Sequence, residues 1–390
     1  MNFQKITDVC DKYINLGDLA GTQTLVYHKG NIVHHENKGF RDLEKKLPIE
    51  NNSIFRIYSM TKPVTCVAAM MLYDKNKFKL DTPVSEFIPE FKQTEVFVSG
   101  TADDFKTQKP EREITMGDLL SHTSGITYDF MYMSVVDELY RKANIQGLNP
   151  QQPLAEMAKL IAQQPLLFSP GKHWAYGLSI DIIGRVVEVI SGKSLRDYFK
   201  QEIFEPLHML DTDFYVPKEK QDRFAGNYLK EQTLVLCDDP KTGQFSKPPL
   251  CDFGGGGLVS TTEDYLKFCV MLLNNGHANG KQFLTSETIK LMTQNHLPTD
   301  INHYMLNGPS PFIPDQAGMG LVFGLKLSGS PVSGNVGSYG WGGAAHTSFF
   351  IDPKAELIAI FMTQLFPPDY KIEINNDFRT AVYESIDAQK

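Results

Sequence analysis

In the stretch FRIYSMTKPVTCVAAMMLYDKN, residues 55–76, Ser59 is followed three positions later by Lys62 and then by an apolar helical run. On a helix, a spacing of three puts both side chains on one face, one turn apart. A serine hydroxyl is a weak nucleophile until a base stands within hydrogen-bond reach. A lysine one turn along can supply that base if burial or a neighbouring charge lowers its ammonium pKa from about 10.4. The helix start adds free backbone N–H groups and a positive dipole end, suited to an oxyanion forming on a substrate. The same serine also has the form of an ordinary N-cap. Nucleophile and cap stand as two readings of one residue.

Other patterns narrow the chemistry. A second S-x-x-K match, Ser169 to Lys172, encloses Pro170 and Gly171, which make a turn rather than a helix start. The chain has no G-x-S-x-G elbow and no G-x-x-x-x-G-K phosphate loop. Its ten histidines and five cysteines form no H-E-x-x-H or paired-cysteine pattern, so no metal or organic cofactor is expected.

The chain of 390 residues carries a net charge of -8, from 38 basic and 46 acidic side chains. It has no basic stripe, so nucleic acid is not an expected partner. The longest apolar stretches, such as VTCVAAMMLY, are about half of what a membrane span needs. The first residues, MNFQKITDVCDKYINLGDL, form a charged amphipathic pattern unlike a secretory leader. Cys10, Cys66, Cys237, Cys251 and Cys269 are odd in number and widely spaced, and Cys66 and Cys269 sit in apolar helical patterns as buried free thiols. The expectation is a protein of the cytoplasm with reduced thiols.

The elements that must position Ser59 are legible in outline. After the first helix, TQTLVYHKGNIVHHENKGF reads as two strands about a Lys-Gly-Asn turn. Residues 78–252 read as mostly helical. ITMGDLLSH, MYMSVVDELYRKA and PLAEMAKLIAQQP are helices, and LSIDIIGRVVEVISGKS is a helix stopping at Gly192. Ser260 and Glu263 have capping-box spacing before a further helix closed by Gly276. AAHTSFFIDPKAELIAIFMTQ is a hairpin about Asp-Pro-Lys, and NNDFRTAVYESIDAQ a terminal helix. Residues 307–343, rich in Gly and Pro, read as a long functional loop region. The fold expected is α/β (α+β): an antiparallel sheet built from both termini, residues 1–77 and 253–390, flanked by helices. A mostly helical domain, 78–252, is inserted, and the active site lies between the two.

GFRDLEKKLPIENNSIFRIYSMTK, ITMGDLLSHTSGI, LLFSPGKHWAYGLSIDIIG, GGGGLVSTTEDYLKF and MGLVFGL follow one another in the chain. In this order they resemble the serine β-lactamase-like superfamily, which holds class C β-lactamases, D-Ala-D-Ala carboxypeptidases and family VIII carboxylesterases. The resemblance spans nearly the whole chain. It implies that Ser59 is the acyl-accepting serine, Lys62 its partner, and Tyr176 the tyrosine of the second motif, where packing beside Trp174 is the alternative role. Lys241-Thr242-Gly243 matches the third motif literally but sits in a polar mid-chain turn. By position, that slot falls instead on Trp341-Gly342-Gly343, a form similar to the family VIII esterases.

The resemblance further implies an oxyanion hole from the N–H groups of Ser59 and Ala344, and substrate contacts at Leu178, Trp341, Gly342 and Gly343. Leu178 replaces the asparagine, and Trp341 the lysine, with which relatives hold a β-lactam. His122 is expected to secure its turn by hydrogen bonds and Asp181 to face its helix dipole. The activity implied is that of a serine carboxylesterase taking small-molecule esters of short acyl chains through a Ser59 acyl-enzyme. The alternatives are a β-lactamase or D-Ala-D-Ala carboxypeptidase-like amidase, an acyltransferase, and a non-catalytic scaffold.

Overall fold

The computed structural model describes residues 2–301, 317–368 and 371–387. Its centre is an antiparallel sheet of eight strands: β1 (Gly21–His28), β2 (Asn31–Asp42), β3 (Leu47–Pro48), β4 (Ala317–Met319), β5 (Gly324–Lys326), β6 (Tyr339–Gly342), β7 (Ser348–Asp352) and β8 (Leu357–Met362). They lie in the order β4-β5-β6-β7-β8-β1-β2-β3, so strands from both ends of the sequence meet where β1 pairs with β8. The turn between β1 and β2 is made by Lys29 and Gly30, both at positive φ, the geometry of a tight hairpin.

Both faces of the central strands are buried, and the two-residue period of a strand divides them. In β8, Ile358, Ile360 and Met362 enter the main core, while Leu357, Ala359 and Phe361 enter a second cluster on the other face. Helices α1 (Gln4–Asn15) and α8 (Ile374–Asp387) cover that second face with Ile6, Cys10, Phe378 and Val382. Within the main core lies α2 (Thr61–Asp74), twelve of whose fourteen residues are buried. A helix apolar all round belongs inside a core; α2 packs against α6 (Ser179–Ser191), and the helix that lies against β8, β1 and β7 is Thr262–Leu273.

The helices between are α3 (Met116–Leu120), α4 (Val135–Lys142) and α5 (Leu154–Ala162). Capping boxes open α3 at Thr115 and α4 at Ser134, and α6 stops at Gly192 in the left-handed region. Two hairpins interrupt the stretch expected to be helical, Val96–Gly100 with Phe105–Gln108 and Asn227–Lys230 with Leu234–Asp238. The first pair is largely exposed beyond Val96, and the second buries only Asn227 and Tyr228 fully, so each offers few core-facing residues to read.

Two expectations shift in detail. The cap of α7 (Thr262–Leu273) is Thr261, whose hydroxyl accepts the Asp264 N–H, and not Ser260. Ser260 is held one residue earlier, its backbone paired with Phe55 and its hydroxyl bonded to Thr212. The region 307–343 is not one loop: residues 307–316 lie outside the described residues, and the rest supplies β4, β5 and β6. Among the described residues no helix is long and apolar enough to cross a membrane, and all five cysteines are unpaired.

Candidate active site

Ser59 sits in a single 3-10 turn, Tyr58–Met60, that runs directly into α2. Its side chain caps neither helix. The capping alternative is therefore not the role the structure gives it. Lys62 Nζ donates to Ser59 Oγ at 3.1 Å, and Tyr176 Oη is in hydrogen-bond contact with the same oxygen at 2.8 Å. Ser59 and Tyr176 are partly exposed, while Lys62 is fully buried.

The backbone just before Ser59 is strained. Tyr58 has a φ of 40°, uncommon for a bulky residue and sustained only where surroundings over-determine it. Its ring stacks on Phe366 at 5.2 Å and meets Phe245 edge-on, and its hydroxyl accepts from Asn227 Nδ2. Three side chains thus hold the turn that presents the serine.

The lysine is held by three acceptors. Besides Ser59, Lys62 Nζ donates to Tyr128 Oη at 2.9 Å and to the Gly255 carbonyl at 2.6 Å. Residues 253–258 reach this position because Val259–Ser260 pairs with Phe55–Arg56, and Ile57 N–H bonds to the Leu258 carbonyl. A Cβ at Gly255 would stand 2.3 Å from Asp181 Oδ2, so glycine is required by the closeness of that carboxylate. Asp181 itself is fully buried and accepts the Gly255 N–H at 2.9 Å through Oδ1. Burial pushes its carboxyl up to about 6, with the Lys62 charge acting the other way. Tyr128 is likewise fully buried, and burial holds its phenol well above the ordinary value.

Tyr176 stands just ahead of α6, ringed by aromatic neighbours. Trp174 stacks at 6.1 Å, Tyr128 lies at 5.4 Å, His122 at 5.1 Å and Trp341 at 5.8 Å. Lys62 Nζ stands 4.7 Å above its ring. His122 is fully buried, and neither of its ring nitrogens has a hydrogen-bond partner. The expectation that its ring ties down the turn is corrected: the backbone does this, with the His122 carbonyl accepting the Ala175 N–H. Burial, and then the Lys62 charge, hold its imidazole well below the usual value.

The Trp341-Gly342-Gly343 run ends β6 beside this turn. A Cβ on Gly343 would lie 2.4 Å from the Ile57 carbonyl oxygen, so this strand end is pressed against the segment that carries Ser59. Trp341 is half-buried and Gly342 exposed. Among the described residues the N–H groups of Ser59 and Ala344 have no hydrogen-bond acceptor. Leu178 departs from expectation. Its side chain is fully buried in the main core, so it presents no surface to a substrate.

The duplicate motifs lie elsewhere. Ser169 Oγ accepts the Glu111 N–H and Lys172 pairs with the Glu111 carboxylate at 2.7 Å. Thr242 lies in a turn organised by Asp239, and Lys241 pairs with Asp222. Sequence reading missed Tyr128 and Gly255. Tyr128 follows LLSHTSGIT directly, and Gly255 lies in the run GGGG, whose only signal was its repetition. No metal-binding cluster occurs among the described residues.

A β-lactamase family profile matches residues 9–382. The chain belongs to the β-lactamase family. An uncharacterized protein of Mycobacterium tuberculosis is 33% identical over 376 residues, covering 94% of this chain and 90% of its own. Lovastatin esterase of Penicillium rubens is 28% identical over 382 residues, covering 93% of each. Among solved structures, EstCE1, described as a hydrolase with promiscuous acyltransferase activity, superposes with a TM-score of 0.80 at 26% identity, covering 97% and 98%. Simvastatin synthase from Aspergillus terreus shares the β-lactamase fold at a TM-score of 0.78 and 24% identity, covering 97% of each chain.

Proposed function

We propose that this β-lactamase-family protein is a serine carboxylesterase that cleaves small esters of short acyl chains through an acyl-enzyme on Ser59. The observation that carries the reading is the position of Ser59 Oγ between Lys62 Nζ and Tyr176 Oη, at 3.1 and 2.8 Å. Tyr176, with Lys62 beside it, takes the hydroxyl proton as Oγ attacks the ester carbonyl. The oxyanion is received by the N–H groups of Ser59 and Ala344. The proton passes to the departing alkoxide, the alcohol leaves, and water activated by the same base releases the acid. Trp341, Gly342 and Gly343 form the substrate wall. The esterase names of relatives support ester over amide as substrate.

The reactive group joins two parts of the chain: Ser59 and Lys62 come from the sheet unit, 1–77 and 253–390, and Tyr176 from the inserted unit, 78–252. A second reading, acyl transfer to an alcohol, is favoured by the acyltransferase activity in the description of EstCE1 and by the acyltransferase calJ of Penicillium decumbens, 26% identical. Five unpaired cysteines support a reducing, cytoplasmic setting. The test is a panel of aryl esters of graded acyl length, with and without an added alcohol, beside a chromogenic cephalosporin. Hydrolysis of short esters is expected. Turnover of the cephalosporin alone would overturn the reading.

A further inference from the structure

Lys62 presents a problem of charge. Its ammonium is fully buried, yet its three acceptors, Ser59 Oγ, Tyr128 Oη and the Gly255 carbonyl, are all uncharged dipoles. A buried cation without an anion is costly, and a protein commonly answers by placing a counter-charge or by giving up the proton. Asp181 has the complementary problem. It is a fully buried carboxylate with one backbone hydrogen bond, and its Oδ2 has no partner. One residue links the two, for Gly255 gives its N–H to Asp181 and its carbonyl to Lys62.

We infer that Asp181 is the buried counter-charge of Lys62, a positioning residue that holds the lysine head group beside Ser59 by way of the Gly255 backbone. The remaining groups around the pair do not supply a rival charge. Tyr128 and Cys251 are held neutral by burial, and His122 is held uncharged by burial and by Lys62 itself. Tyr176 meets the lysine through its ring face, with Nζ 4.7 Å above it. With Asp181 ionised, the pair is neutral overall, and Lys62 donates to Ser59 Oγ while Tyr176 is left to accept the serine proton. The carboxylate touches neither substrate nor reacting atoms. Its effect is transmitted through the lysine.

Two readouts test this on the full chain. The first rests on the proposed roles of Ser59, Lys62 and Tyr176: kcat/KM for an aryl ester is measured from pH 5 to pH 10 in wild type and Asp181→Asn. Removing a nearby negative charge lowers the pKa of whichever group accepts the serine proton. The acidic limb should therefore move to lower pH by about one unit. A limb that stays in place, whatever its height, overturns the inference, because a carboxylate that only supports packing does not shift it. The second readout needs no catalysis. Asp181→Asn should lower the melting temperature in wild type, where Lys62 loses its counter-charge, and raise it in a Lys62→Met background, where the carboxylate has already lost its cation. Equal shifts in both backgrounds overturn it. If Asp181→Asn does not fold, the carboxyl 13C resonance of Asp181 can be titrated in the otherwise unaltered chain. Its midpoint must rise on Lys62→Met, and an unmoved midpoint overturns the inference.

Discussion

Tyr176 Oη and Ser59 Oγ are 2.8 Å apart although 117 positions separate them in the chain. Lys62 bonds the same oxygen from one turn along α2, so one hydroxyl is gripped from a neighbouring residue and from a distant element. That convergence sets Ser59 apart from the other S-x-x-K serine, Ser169, whose lysine is occupied by Glu111.

The nucleophile can be tested by trapping. A fluorophosphonate probe should label Ser59, and Ser59→Ala should abolish labelling and turnover with the melting temperature nearly unchanged, since the side chain caps no helix. Label found on Ser169 would sink the assignment.

Removing the phenol hydroxyl tests the base. Tyr176→Phe keeps the ring among Trp174, Tyr128, His122 and Trp341. It should lower kcat for aryl esters by about 10²–10⁴, the range usual for a positioned general base, while leaving the fold intact by circular dichroism. Retention of more than half the wild-type rate would show that another group takes the proton.

Gly255→Ala should cost both stability and activity. The added Cβ would stand 2.3 Å from Asp181 Oδ2, so the segment must move, and with it the carbonyl that receives Lys62. Overpacking of this kind costs about 1–3 kcal/mol, measurable by urea unfolding. A fall in kcat/KM should accompany it, since the carbonyl that receives Lys62 moves with the segment. A variant as stable and active as wild type would show that residue 255 has room to spare.

His122 gives a pH dependence of stability with a defined sign. Its folded pKa is depressed, chiefly by burial. Stability from the neutral ring is therefore fully present above the unfolded value of about 6.5 and is lost as pH falls below it, at about 1.4 kcal/mol per pH unit. Asp181 runs the other way: its folded value of about 6 lies above the ordinary 3.8, so its contribution falls as pH rises across that interval. Comparing wild type with His122→Phe cancels the Asp181 term. Because the ring makes no hydrogen bond, the variant loses none, and its unfolding free energy should fall less than that of wild type between pH 7 and pH 5. Parallel pH profiles would contradict a neutral buried ring.

The choice of substrate turns on polar recognition. Relatives that open β-lactams hold them by an amide and a cation. Here the corresponding positions are Leu178, sealed in the core, and Trp341, an apolar half-buried ring. A β-lactam's polar groups would lose water without gaining these partners, at about 1–3 kcal/mol each. Its kcat/KM should be about 5- to 150-fold below that of a short aryl ester, the one such loss at Trp341 amounting to about 1–3 kcal/mol. Equal efficiency on a cephalosporin would reverse this order.

The parts of this architecture that were legible in sequence are those where local and global signals agree. Lys29-Gly30 announced the first hairpin, Gly192 the end of α6, and the apolar run of α2 its burial. Ser59 and Lys62 stood out because they open an apolar helix, whereas Tyr176 was named only through the family resemblance; its hydroxyl lies 2.8 Å from Ser59 Oγ. The hairpins at 96–108 and 227–238 escaped because each buries few apolar residues, chiefly Val96 in the one and Tyr228 in the other, on strands otherwise exposed or half-buried. Leu178 was misplaced for a related reason: its position in the motif speaks for substrate, but an apolar side chain at the entry to a buried helix goes inward. Tyr128 and Gly255 were invisible because what matters about them is the distance to Lys62, and that is set by tertiary packing.

The pairing of β1 with β8 has a consequence for how the chain comes to life. Residues 21–28 leave the ribosome early, yet the partner on one side of that strand is residues 357–362. Until those emerge, the early hairpin has one open edge and its apolar faces lack the strands and terminal helix that cover them. Contacts of such long sequence separation form slowly, and an unpaired edge in the meantime invites aggregation. Slowing synthesis after residue 300 should therefore lengthen the time for which nascent chains depend on chaperones, and deletion of β8 should leave a chain that aggregates.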